Sequence, residues 1–257
     1  MRRILLVLLV LLAAALLLGG AFVYLAPASF VTGRLERAMG GNVAVRQVEG
    51  TVWRGRGVLA AGDTQLPIAW TLDPESLLYG ELRAHIGPFD GTGALPHADV
   101  LAGRDRINLR DVDLTLPLPL VTEALQGRLP RRIGLVADGD LTLRSKELDW
   151  VPPTINGDLQ VVWRAARLSL PTQAPIDFGD VTATLTANGE RLAGPVENSG
   201  GVMDVRGDIA VRGDRGTAVT LLLTPRRADD ATLARVLATV GTPEGSGWRV
   251  TWQTPPR

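Results

Sequence analysis

The chain has 257 residues, 46% of them hydrophobic, and its 27 basic and 27 acidic side chains give a formal net charge of zero. That length and apolarity suffice to bury a core, and the charge balance argues against a nucleic-acid-binding protein, which needs a basic excess. The absence of cysteine excludes disulfides, thiolate metal sites, iron–sulfur clusters and a cysteine nucleophile.

After Met1-Arg2-Arg3, the 22 residues Ile4–Leu25 carry no charge, and Pro27 follows. About 20 apolar residues in a helix span a bilayer, whereas the apolar stretch of a secretory signal runs to roughly 7–15. Length therefore favours a retained anchor over a cleaved signal, although Gly19-Gly20-Ala21 and Ala26-Pro27-Ala28 have the small-residue spacing of a cleavage site. Arg2 and Arg3 precede the span, so the expected orientation is N-terminus in the cytoplasm and the rest outside, with Phe22 and Tyr24 at the far interface. The expected organisation is residues 1–26 as cytoplasmic N-terminus and transmembrane anchor, 27–41 as juxtamembrane helix and 42–257 as a β-rich domain.

From Ser29 to Met39, the residues Phe30, Val31, Leu35, Ala38 and Met39 fall at helical spacing, and Gly40-Gly41 ends the run. This predicts a short amphipathic helix that caps the open end of a sheet rather than lying on lipid headgroups. Beyond it the period changes to two. Leu66, Ile68, Trp70 and Leu72 alternate with smaller or polar residues, as do Val181, Ala183, Leu185 and Ala187, and Trp248, Val250 and Trp252. Such alternation predicts antiparallel strands with one apolar and one polar face. Weaker strand patterns cover 42–48, 51–59, 106–117, 139–145, 158–168, 203–211 and 217–224. Pro67 assigns its strand to an edge or a bulge. Short helices are expected at 74–79, 121–125 and 229–240, the last with Leu233, Val236, Leu237 and Val240 as its buried stripe.

Gly-Asp dipeptides recur at Gly139-Asp140, Gly157-Asp158, Gly179-Asp180, Gly207-Asp208 and Gly213-Asp214. Calcium sites need several oxygens converging from close positions, and these pairs lie a strand or more apart. They are read as tight turns, glycine supplying the positive φ and Asp bonding the turn backbone. The fold class expected is thus mainly β: one transmembrane helix, then a curved or twisted antiparallel sheet of repeated hairpins with a few short helices.

No catalytic residue, cofactor site or metal site is read from the sequence. His85 and His97 have no partner pattern, and no Gly-x-Ser-x-Gly elbow or phosphate-cradling glycine loop occurs. The expectation is a protein that is not an enzyme.

The stretch Val48-Glu49-Gly50-Thr51-Val52-Trp53-Arg54-Gly55 resembles a motif of the type II secretion system protein N family. Leu66-Pro67-Ile68-Ala69-Trp70-Thr71-Leu72-Asp73-Pro74 and Leu77-Leu78-Tyr79-Gly80-Glu81-Leu82 resemble the segments that follow it there. The resemblance implies an accessory, non-catalytic, single-pass component of the bacterial inner membrane with its main domain in the periplasm. Its implied neighbours are the platform proteins of C, L and M type. In physical terms Gly50-Thr51 makes a turn, and Trp53 and Trp70 are buried aromatics packing across strands. The anchor and β hairpins also resemble AsmA-like envelope proteins, which implies an apolar sheet face that carries lipid. An open apolar face of several hundred Å² would favour that alternative; a covered one would favour a closed scaffold.

The anchor generates a first prediction. A reporter enzyme active only in the periplasm, fused after Arg257, should be active, and the protein should stay in the membrane pellet after an alkaline carbonate wash. Release in soluble form would mean a cleaved signal.

Overall fold

The computed structural model of the protein describes residues 25–38, 41–87, 97–125, 136–169, 174–212, 216–227 and 231–253. The expected anchor lies outside the described residues except for Leu25. Among the described residues no helix is long and apolar enough to cross a membrane.

Fourteen strands form one sheet. The first six are β1 (Ala44–Gly50), β2 (Arg54–Ala61), β3 (Thr64–Asp73), β4 (Leu82–Gly87), β5 (His97–Ala102) and β6 (Ile107–Pro117). Two strands of sixteen residues follow, β7 (Val136–Val151) and β8 (Thr154–Ser169), then β9 (Ile176–Asn188) and β10 (Arg191–Ser199). The last are β11 (Met203–Arg212), β12 (Gly216–Pro225), β13 (Thr242–Glu244) and β14 (Gly247–Gln253). Neighbours in the sheet are neighbours in sequence until the end, where β14 lies between β12 and β13. Among the described residues three helices join them, α1 (Ser29–Ala38), α2 (Leu118–Leu125) and α3 (Ala231–Val240), with a 3-10 turn at Pro74–Tyr79.

Register puts the apolar residues on one side. Partners in an antiparallel pair share a face, and the pairings link Leu59 to Leu66, Trp70 to Ile86, Ala84 to Val100 and Leu109 to Leu148. They continue through Leu143–Val161, Leu159–Leu185, Ala183–Val196, Leu192–Val211, Val205–Leu223 and Leu221–Val250. The opposite face carries Thr71, His85, Asp99, Asp113, Arg144 and Thr182 at alternating positions, with ion pairs such as Arg144–Asp113 at 3.1 Å and Arg106–Asp149 at 2.7 Å. The Asp149 carboxylate, helped by Glu81 and Glu147, raises the Arg106 guanidinium above its ordinary value.

Helices pack on parts of the apolar face. Helix α2, carried between β6 and β7, packs on both and also reaches β2, where Leu120 buries with Val43 and Ala61. Near the other end, Leu233 and Leu237 of α3 bury against Ala166, Phe178, Met203, Val205 and Leu223. Helix α1 runs beside β1, and its Glu36 carboxylate accepts the Val45 N–H at 2.9 Å. The helix thus lies against the outermost strand of the sheet.

Two expectations need correction. The Gly-Asp pairs at 139, 157, 179 and 207 lie inside strands, not at hairpin tips; Gly213-Asp214 falls outside the described residues. At Gly157 (φ 116°) a Cβ would be driven into the Glu147 carbonyl, where the β7–β8 register shifts. At Gly179 the β8–β9 register shifts likewise, and the Asp180 carboxylate accepts the Ala165 N–H at 2.9 Å. Gly139, Gly157 and Gly179 therefore mark bulges, where one strand's extra residue bends the sheet and increases its twist, whereas Gly207 sits in an unbroken ladder without a positive φ. The glycine conformation was legible; the chain reversal was not there.

Pro67 does not sit in an edge strand, since β3 pairs with both β2 and β4. β4 reaches only Ala69–Asp73, so Pro67 lies where β2 is the neighbour it pairs with. Similarly, the β9–β10 ladder lapses between Ala193–Thr186 and Val196–Ala183, around Pro195. A missing N–H is tolerated where no ladder asks for it.

The crowding at Gly157 can be measured. Gly62→Ala, at a turn with φ 56° and open space around it, should cost about 1–2 kcal/mol from left-handed strain alone. Gly157→Ala adds a backbone clash and should lower the Tm more than twice as far. Equal losses would show that the bulge has room.

Candidate functional site

The motif residues build the turn that joins β1 to β2. The Gly50 carbonyl accepts from Ala28 N–H at 3.2 Å, the Ala26 carbonyl accepts from Val52 N–H at 2.9 Å, and Pro27 bridges to Thr51. The Thr51 hydroxyl accepts the Arg54 N–H at 3.2 Å, and the Thr51 N–H donates to the Arg54 carbonyl at 2.9 Å. The Trp53 carbonyl takes the Leu72 N–H at 2.6 Å, tying the turn to the end of β3. The motif therefore fastens the entering chain to the first three strands.

Trp70 lies across from Gly55 in the β2–β3 ladder, and its indole N–H donates to the Val52 carbonyl at 3.0 Å. A Cβ on Gly55 would stand 2.5 Å from that ring. The glycine gives the indole a floor, and the indole locks the turn. Both Trp53 and Trp70 are half-buried, which corrects the expectation of buried aromatics. Trp53 sits in the β1–β2 turn and Trp70 on β3.

Sequence reading missed a polar groove of about 730 Å³ beside the β7 bulge, lined by His97, Asp113, Arg144, Ser145, Glu147 and Asp158 among others. Buried atoms of three of these, His97 Nδ1, Asp113 Oδ1 and Ser145 Oγ, have no protein partner. The groove can take polar groups, and no hydrogen bond joins Ser145 to His97. His85 Nδ1 lies 2.6 Å from Asp99 on the exposed polar face. Among the described residues no group of three His, Asp or Glu is placed to hold a metal.

The apolar face is the larger feature, and no second sheet covers it among the described residues. α2 and α3 cover parts of it. Leu114, Leu143, Val161 and Val219 on the same face are only half-buried. Period-two alternation announced this face, but not how much of it stays uncovered.

A single long antiparallel meander, with an apolar face only partly covered by helices and its first strands tied to the entering chain, defines a mainly β protein built on one large sheet. Residues 41–251 match the family model of type II secretion system (T2SS), protein N, and the chain belongs to that family. The protein is thus a type II secretion component by family. No curated relative and no solved structure matches the chain.

The Trp70 geometry predicts a graded response. Trp70→Phe keeps the ring over Gly55 and loses one hydrogen bond, costing about 0.5–1.5 kcal/mol. Trp70→Ala should approach, without exceeding, the roughly 3–5 kcal/mol of a fully buried Trp. Unchanged melting for Trp70→Ala, with loss of secretion, would make Trp70 a contact residue instead.

Proposed function

We propose that this protein is an accessory, non-enzymatic component of the type II secretion platform, held in the bacterial inner membrane by residues 1–26. Its β domain lies in the periplasm and works by protein–protein contact with platform proteins of C, L and M type. The family match over 41–251 carries this reading.

The two ends of the sheet suggest where contact occurs. β1 is covered by α1, its Val45 N–H is taken by Glu36, and its ladder with β2 is broken by a bulge at Gln47 (φ 51°). Such devices keep an edge from recruiting another strand. At the other end, β13 pairs with Gly247–Arg249, so among the described residues Thr251–Gln253 of β14 have β12 on one side and no strand on the other. An extended segment of a partner adds here through main-chain bonds, a mode that needs no special side chain.

A second reading is favoured by the uncovered part of the apolar face: lipid carriage, as in the AsmA-like alternative. In-cell crosslinking with pulldown and mass spectrometry of proteins and lipids separates the two. Recovery of platform proteins is the expected outcome; stoichiometric phospholipid with no secretion protein would replace it with the lipid-carrier reading.

A further inference from the structure

From the arrangement of the hairpin tips we infer that one rim of the sheet is a second membrane contact, seated in the lipid headgroup region beside the anchor. The inference rests on reading Ile4–Leu25 as a transmembrane segment, and it adds a surface that this reading does not contain.

Chain direction defines the rim. The apolar segment ends at Leu25, and the next residues bond to the β1–β2 turn, as described above. That turn is held to the end of β3 through the Trp53 carbonyl, and β3 runs into the 3-10 turn at Pro74–Tyr79. Gly103, in the β5–β6 turn, lies against Glu81, and Ile107 just beyond pairs with Trp150 at the β7–β8 tip. These tips therefore form a continuous row that starts where the anchor ends.

The row is also where apolar side chains are left in water. Leu78 and Tyr79 are each 84% exposed and Leu77 is 48% exposed, with Ile107, Trp150 and Val151 exposed along the row. Leu25 opens the row and Trp252, at the same end of β14, lies beyond it. The other exposed large apolar residues among the described ones are Val136, Val202 and Val240, single valines elsewhere. Scattered exposed apolar residues need no explanation, but their collection along one rim, interspersed with the exposed Glu75, Arg104, Asp105 and Arg106 of the same tips, does.

The Leu-Leu-Tyr tip is held in place by its own polar bonds. The Asp73 carboxylate accepts the Glu75 N–H at 3.0 Å, and the buried Ser76 hydroxyl donates to the Asp73 carbonyl at 2.6 Å while accepting the Arg83 N–H at 3.0 Å. Gly80 closes the turn with φ 74°. With Ser76 turned inward, the next three side chains point away from the protein. Tyr and Trp beside Leu, Ile and Val match the headgroup–acyl boundary, where aromatic rings with a polar tip are enriched. A bilayer surface is the occupant because the membrane-spanning sequence ends at this rim, so lipid is within reach of the tips without any partner. The contact fixes the tilt of the sheet, holding its polar face and the β14 edge at set heights above the membrane.

The test uses the full chain, which has no native cysteine, in vesicles of phosphatidylethanolamine and phosphatidylglycerol. Leu78→Cys on the rim and Asp63→Cys at the opposite β2–β3 tip each carry an environment-sensitive fluorophore, and a β-type circular dichroism spectrum with unchanged melting confirms that both variants fold. The Leu78→Cys probe should show blue-shifted emission, quenching by nitroxide-bearing lipid and protection from aqueous iodide, and the Asp63→Cys probe the reverse. If iodide quenches both probes equally in protein that resists carbonate extraction, the anchor stands and the membrane rim is overturned. Protection that needs added platform proteins and brings no lipid quenching also overturns it, making the rim a protein contact. Release of the protein by carbonate removes the anchor reading, and the inference with it.

Discussion

An antiparallel sheet this wide with one apolar face is shaped by its own twist. Each strand turns right-handed relative to its neighbour, and sheets beyond about ten strands must curl, split or flatten. Among the described residues no second sheet covers the apolar side. The bulges at Gly157 and Gly179 let backbone approach backbone, and α2 and α3 bury parts of the apolar face. The apolar core is accordingly divided into three clusters along the sheet.

That division separates the tasks of the two faces. The polar face is knitted by cross-strand pairs such as His85–Asp99 and Arg144–Asp113, most of them exposed and individually worth little. They set register more than stability, because a slip by one residue would place every apolar side chain in water. Cohesion comes from the apolar side, where Met203, Ala166 and Leu237 are fully or almost fully enclosed. The motif turn belongs to neither face. It joins the chain that enters from the N-terminal side to β1, β2 and β3.

Much of this architecture was legible because alternation is a local property. The strands around Trp70, Leu185 and Val250 announced themselves, and the short helices at 74–79, 118–125 and 231–240 appeared close to their expected places. β4 and β5 did not stand out, since alanines at 84, 98 and 102 supply much of their apolar side. β10 was hidden by Gly194-Pro195, and β13 is only three residues long. The Gly-Asp pairs show the limit most clearly: a glycine at positive φ reads the same in a turn and in a bulge, and only strand pairing tells them apart. The openness of the apolar face, the His97–Ser145 groove and the apolar rim depend on which distant segments meet, so no single stretch of sequence contained them.

The strand order has a consequence for how the molecule comes into being. Because each strand up to β12 lies beside the one made before it, a chain appearing N-terminus first can extend its sheet one strand at a time, without waiting for distant segments. Loop closure at most additions spans a short stretch and carries a small entropic penalty, the β6–β7 step across α2 being the longer exception. The last addition differs. β14 must reach β12 across α3, bringing β13 on its outer side. Until that hairpin arrives, β12 presents a bare row of main-chain donors and acceptors, and Leu223 lacks the helix that will enclose it. Assembly is therefore gradual for most of the chain and all-or-none at its end, so a ribosome or translocon that stalls past residue 225 leaves the stickiest intermediate.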